Sequence, residues 1–164
     1  MIRPILTLGD ERLYQTSAPV TEEDLPKLSG WVEDLHDTLM AYRRVHGAGR
    51  AVAAPQIGVF KRLLYMYLDG PTVFINPELS FPDDETYTLL DDCMSFPGLV
   101  VRVERHKRAL IRYTDLKGRA CEMALEGDLS ELLQHEYDHL DGILATMRAV
   151  DSKSFYLMDM KREL

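Results

Sequence analysis

Cysteine is scarce in this chain of 164 residues, with two, and tryptophan occurs once. Cys93 and Cys121 can close one disulfide at most, which excludes a small scaffold held by disulfides. Long apolar runs are also missing. The opening Met1-Ile2-Arg3-Pro4-Ile5-Leu6 is too short for a secretory signal and is broken by Pro4, and no other run approaches membrane-spanning length. The expectation is a cytoplasmic protein with no membrane partner and with free thiols available as metal ligands. Basic residues are the minority, 19 Lys and Arg against 27 Asp and Glu, for a net charge of −8. That balance argues against direct DNA binding, which rests on neutralising phosphates. The one basic stretch, Arg102 to Arg108, reads as a solvated strand face. Repeats, low-complexity tracts and linkers are absent too, so residues 1–164 are expected to form a single catalytic domain.

What is present suffices for a packed core: 46% of residues are hydrophobic and 28% charged. Trp31, Leu35, Leu39 and Tyr42 fall at helical spacing and predict a helix from about Leu25 to Arg44, with Gly47 as its stop. Strands are expected over Arg62 to Leu68, Thr72 to Ile75, Leu99 to Arg105, Ala109 to Thr114 and Ala120 to Leu125. Asp115-Leu116-Lys117-Gly118 has the chemistry of a hairpin turn. A second helix is expected from Asp128, capped by Asp128 with Glu131 and ended by Gly142, and a third from Ser152 to the terminus. Strands grouped in the middle, with helices at both ends, predict an α+β fold.

The second helix contains His135-Glu136-Tyr137-Asp138-His139. Two histidines four apart share one helix face, so both imidazoles can reach one ion, and the Glu beside the first ligand can reach a water on that ion. A catalytic site of this kind takes a third protein ligand. The position of a third histidine in one protease pattern is occupied by Ala145, and Glu163 lies at the extreme terminus, so the ligand is expected upstream. The candidates are Cys93, Cys121, His46 and His106. Cys121 sits in an apolar strand pattern and reads as a core residue. Cys93 sits in the loop-like Asp91-Asp92-Cys93-Met94-Ser95-Phe96-Pro97-Gly98, and a thiolate suits a soft or borderline metal.

Three segments together resemble the peptide deformylase family. They are Gly49-Arg50-Ala51-Val52-Ala53-Ala54-Pro55-Gln56, Asp91-Asp92-Cys93-Met94-Ser95, and Gln134-His135-Glu136-Tyr137-Asp138-His139-Leu140-Asp141-Gly142. Ile5 to Asp10 and Ile75-Asn76-Pro77 are similar to the family as well, so the resemblance spans nearly the whole chain in order. It implies antiparallel sheets packed around a central metal-binding helix, with N-terminal and C-terminal helices. It implies hydrolysis of the N-formyl group of formyl-methionyl termini on newly made polypeptides. Cys93, His135 and His139 would bind one divalent ion, Fe(II), replaceable by nickel, cobalt or zinc. Glu136 would move the proton, and the Gln56 side-chain amide and the Met94 N–H would face the oxyanion. Substrate would lie extended beside the first segment, near Gly49 and Ala51. Formylated nascent peptides would be the partners, with the ribosome as a further contact, and the enzyme would act as a monomer.

The segments also depart from the family pattern. Ala51 stands where the family has a glycine, Asp91 replaces its Glu, and Asp92 replaces its Gly and adds a charge beside the substrate track. Glu131, one turn before His135, is expected to complete the helix cap, with an approach to the pocket for the first substrate side chain as the alternative. The resemblance further implies that Asp91 pairs with a downstream Arg. Arg105 is the expected partner, through two parallel hydrogen bonds and a direct, close approach, and Arg102 is its rival. Three other readings compete. One is a related amide hydrolase with altered acyl or peptide specificity. Another is a non-enzymatic metal-binding deformylase-like protein, against which Glu136 and Gln56 argue because metal binding needs neither. The third is an ordinary soluble zinc protease, weakened by its missing downstream ligand.

Overall fold

A computed structural model describes residues 1–158. The first helix, α1 (Leu25–His46), has Pro26 in its first turn, where a missing N–H costs nothing, and is capped by Gly47. It buries Leu28, Leu35 and Leu39 against the sheet and leaves its charged residues outside except Asp34, which is buried and paired with Arg3. A five-stranded antiparallel sheet has the order β1 (Ala51–Ala53), β2 (Leu63–Tyr67), β3 (Pro71–Ser80), β6 (Arg108–Thr114) and β7 (Ala120–Glu126). The expected turn at Asp115 joins β6 to β7, and Asp115 Oδ1 accepts from the Lys117 and Arg119 N–H groups. A second sheet orders β4 (Thr86–Asp91), β5 (Leu99–His106) and β8 (Phe155–Leu157). Among the described residues no helix is long and apolar enough to cross a membrane.

The expected C-terminal helix is corrected. Asp151 and Ser154 spend their side chains on a local turn, in which the Asp151 N–H donates to Ser154 Oγ and the Lys153 N–H to Asp151 Oδ1. Residues 155–157 then pair with Leu99, Val100 and Val101 along the free edge of β5. The rest of that predicted helix, with Glu163, lies outside the described residues.

The second helix, α2 (Asp128–Leu140), runs between the sheets and is buried on nearly every side, with Asp128 exposed at its start and Leu129 and Tyr137 partly buried. Leu132, Leu133 and Leu140 pack on Ala51, Ala53, Leu64 and Phe74 of the larger sheet. The cap expected from Asp128 and Glu131 does not form. Gly127 is the N-cap, no side chain caps the helix, and the Glu131 N–H donates to the Gly127 carbonyl. The Asp128 position is already helical, so its carboxylate is one residue too late to cap. Gly142 follows the helix with φ +71°, and a Cβ there would lie 2.3 Å from the Tyr14 carbonyl oxygen. This glycine therefore serves both a left-handed turn and a close backbone crossing.

Candidate metal centre

A helix buried all round must satisfy every polar side chain it carries. On α2 that accounting is nearly complete. Gln134 accepts from the His106 N–H and donates to the His106 carbonyl and to Ser130. Asp138 receives Arg105 at 2.6 Å and Arg148 at 2.6 and 2.9 Å. Glu131 receives Arg50 at 2.6 Å. His135 Nδ1 meets Asp91 Oδ2 at 2.9 Å. Two buried atoms of the helix are left without a partner, Glu136 Oε2 and His139 Nδ1.

His139 belongs to a cluster of possible metal ligands, and Glu136 follows another of its members in the sequence. Cys93, His135 and His139 are buried, and one ligand atom from each lies within 4.8 Å of the others. Cys93 Sγ is 3.4 Å from His139 Nε2. Because a carboxylate only accepts, Asp91 fixes the proton of His135 on Nδ1 and leaves Nε2 for the cluster. Burial alone would disfavour a charge on His135, yet Asp91 and Cys93 raise it well above its ordinary pKa. The same negative neighbours favour a divalent cation in place of that proton. Burial lowers His139 well below the usual value and keeps it neutral, the ligating form. One thiolate and two imidazoles are a donor set for zinc or a first-row transition ion.

The other site residues surround this cluster. Gln56 is buried in the 3₁₀ turn Ala54–Ile57 that follows β1. Its Oε1 accepts from the Ala53 N–H at 2.9 Å, which turns Nε2 toward Ser95 Oγ at 3.1 Å and Cys93 Sγ at 3.5 Å. Met94 is buried beside Cys93 in the loop between β4 and β5. The loops carrying Gln56 and Ser95 are tied to one N-terminal segment, where the Leu6 N–H donates to the Gln56 carbonyl and the Leu8 N–H to the Ser95 carbonyl, each at 2.8 Å. Glu136 is buried, and desolvation pushes its carboxyl up to about 7.

Asp91 ends β4 and contacts both a ligand and a cation. Its Oδ2 accepts from Arg105 Nη2 at 3.1 Å as well as facing His135. The expectation of two parallel hydrogen bonds is corrected: the guanidinium divides its ends between Asp91 and Asp138, bridging the Cys93 loop to α2. Burial works to raise Asp91, but His135 and Arg105 together hold it below the ordinary carboxylate value. Arg102 points elsewhere, to Asp151 at 3.3 Å.

A cavity of about 500 Å³ adjoins the cluster and is lined by Gly49, Ala51, Asp92 and Glu131, among others. Gly49 has φ +132°, a conformation of glycine, with the Leu39 and Tyr42 side chains 3.3 Å from where a Cβ would stand. Ala51 is an ordinary buried strand residue, so replacing a glycine there brings no backbone strain. The Arg50 carbonyl accepts from the Tyr67 N–H, so ladder alternation turns the Ala51 N–H and C=O to the open edge of β1. Asp92 is exposed at the mouth.

Among the other ligand candidates, His46 stacks on Tyr42 at the end of α1, and His106 stacks on Phe81 away from the cluster. Cys121, expected in the core, is half-buried on the edge strand β7, its thiol near Asp115. Three site residues had escaped sequence reasoning. Asp138 was visible only as a variable position inside the histidine motif, Ser95 as the end of the cysteine motif, and Arg50 as a charged residue within a run of small ones.

The polypeptide deformylase family model matches residues 2–155. Peptide deformylase of Thermotoga petrophila is 37% identical over 163 residues, covering 96% of this chain and 96% of that protein. Among solved structures, the peptide deformylase of Thermotoga maritima superposes with a TM-score of 0.83 at 35% identity, covering 92% of this chain and 99% of the other. The class I type b enzyme of Acinetobacter baumannii, solved with Met-Ala-Ser bound, gives 0.82 at 27% identity, covering 90% and 98%. The agreement runs through all three motif segments and both sheets, and the Cys-His-His cluster supplies the metal site that such an enzyme needs. This chain belongs to the peptide deformylase family, metallohydrolases that remove N-formyl groups.

Proposed function

We propose that the chain cleaves the formamide of formyl-methionyl and related N-formyl peptide termini, with Glu136 as its acid and base. Cys93, His135 and His139 would hold a divalent ion, which would supply Lewis acidity and acidify a bound water. Iron(II), the ion that the family resemblance implies, is our first choice, with nickel, cobalt or zinc as substitutes; a thiolate with two imidazoles suits that range. Glu136 takes a proton from the attacking water and delivers it to the departing amine nitrogen. A carboxyl pushed up to about 7 can do both near neutrality. Gln56 Nε2, held by the Ala53 N–H, and the Met94 N–H offer donors where the carbonyl oxygen gains charge. Asp91 is a positioning residue. It orients His135 and, through Arg105, holds the loop bearing Cys93 and Met94.

The open edge of β1 supports an extended peptide pairing with the Ala51 main chain, beside Gly49. The peptide bound in the Acinetobacter baumannii relative supports a peptide ligand here too. In this reading residues 1–164 work as one monomeric catalytic domain in the cytoplasm, acting on nascent peptides, with the ribosome as a further contact. The second reading, altered acyl or peptide specificity, is favoured by one observation, the charged wall of the cavity formed by Arg50 and Glu131.

The observation that carries the reading is the buried, unpartnered Glu136 Oε2 beside the ligand cluster. The nickel-loaded protein should release formate from formyl-Met-Ala-Ser. Glu136→Gln should keep its metal, because the two side chains share a shape, and lose about 10²–10⁴-fold in turnover. A fully loaded protein that releases no formate, or a loss below tenfold in the variant, would sink this assignment.

A further inference from the structure

One wall of the cavity is an ion pair to which the chemistry above gives no role. Arg50, entering β1, donates from Nη2 to Glu131 Oε1 at 2.6 Å. Glu131 stands one helical turn before His135 on the same face of α2, so the pair lies about 6 Å along the helix from a metal ligand. The two partners differ in exposure: the Glu131 side chain is 9% exposed and that of Arg50 42%. One oxygen of the carboxylate, Oε1, is committed to Arg50, whereas much of the guanidinium remains open beside the cavity that both residues line. Asp92 lines the same space.

A peptide whose scissile bond reaches the cluster while its backbone follows β1 turns its first side chain toward this cavity. An apolar side chain there would strip water from Arg50 and return no hydrogen bond, and an unmade bond to a charged group is costly. An acidic side chain would meet Glu131 and Asp92, and a basic one would meet Arg50. A neutral carboxamide matches both partners, because its C=O accepts from a guanidinium and its NH₂ donates to a carboxylate.

We propose that Arg50 and Glu131 are specificity-determining residues that make this enzyme prefer N-formyl peptides whose first side chain is a neutral carboxamide of about methionine length. Formyl-methionyl peptides remain substrates at lower efficiency. The proposal rests on the deformylase reading of the site and refines its substrate.

The test compares formyl-Gln-Ala-Ser with formyl-Met-Ala-Ser on the nickel-loaded protein. It is repeated on the double variant Arg50→Leu/Glu131→Leu. The pair is replaced together because a single change strands a buried charge. Titration calorimetry with the deformylated products Gln-Ala-Ser and Met-Ala-Ser reads the pocket without turnover. The wild type should favour the glutamine ligand by about tenfold or more in kcat/KM and in product Kd. The double variant should reverse the ratio in both. A wild-type preference for the methionine ligand, or a ratio that the double variant leaves unchanged, overturns the proposal. If neither formyl peptide is turned over, the deformylase reading fails, and the product Kd ratio still decides the pocket's preference. Arg50→Met/Glu131→Gln, which keeps side-chain length, replaces the first variant if circular dichroism shows that one unfolded.

Discussion

At the scale of single residues, the ligand cluster separates two thiols that composition alone treats alike. Cys93 is buried 3.4 Å from His139 Nε2, whereas Cys121 is half-buried on an outer strand. Cys93→Ala, His135→Ala and His139→Ala should each lose bound metal, and Cys121→Ala should keep it. Elemental analysis of the four purified variants decides this, and full metal content in Cys93→Ala would remove that residue from the site. The sequence made His135, Glu136 and His139 legible because helical periodicity alone puts the two imidazoles on one face. It did not make Arg50 legible. A Gly-rich run signals backbone approach, and nothing in it says that the one long side chain reaches across to α2. The misreading of Glu131 has a related cause. A carboxylate three residues into a helix looks like a cap until the cation that claims it is known.

At the scale of elements, the loop between β4 and β5 is held to α2 by the Asp91–His135 contact and by one buried cation. Arg105, with a side chain 3% exposed, joins Asp91 to Asp138. Arg105→Leu would leave two buried carboxylates short of a partner, although Arg148 still serves Asp138. Losing one member of a buried ionic network costs about 3–5 kcal/mol. The variant should melt at a clearly lower temperature and turn over more slowly with metal still bound. Arg102→Leu disturbs only an exposed contact with Asp151 and should melt and turn over as the wild type does. Equal losses in the two variants would contradict this division of labour. The direct contact of Asp91 with Arg105 was legible from resemblance, but its sharing with Asp138 was not, since a sequence does not show which carboxylates converge on one guanidinium. The short strands were hardest to read. β1 and β8 have three residues each, too few to display alternation, and exist because a neighbouring strand offers an open edge.

At the scale of the whole molecule, metal occupancy and stability are linked. The donors come from the β4–β5 loop and from α2, parts that separate when the chain unfolds, so an ion binds the folded state in preference. At a free-ion concentration one hundred times its dissociation constant, that preference stabilises by about 2.7 kcal/mol. Chelation should therefore lower the melting temperature measured by differential scanning fluorimetry, and nickel should restore it. The Cys93→Ala variant should show little response to either. An unchanged melting temperature after verified metal removal would contradict the linkage. The α+β class and most sheet strands were legible because their apolar runs are long, while the terminal strand that replaced an expected helix was not.

The N-terminal segment gives the molecule a splint. Leu6 and Leu8 grip the Gln56 and Ser95 carbonyls, on two loops more than thirty residues apart in sequence. Those loops carry Gln56 and Met94, the two donors proposed for one oxygen atom, so their spacing is set partly by a stretch of chain outside the ligand cluster. Removing the segment through Leu8 would leave every ligand in place and yet free the two loops from their shared tie. The reaction is thus exposed to damage at a point where no catalytic group resides.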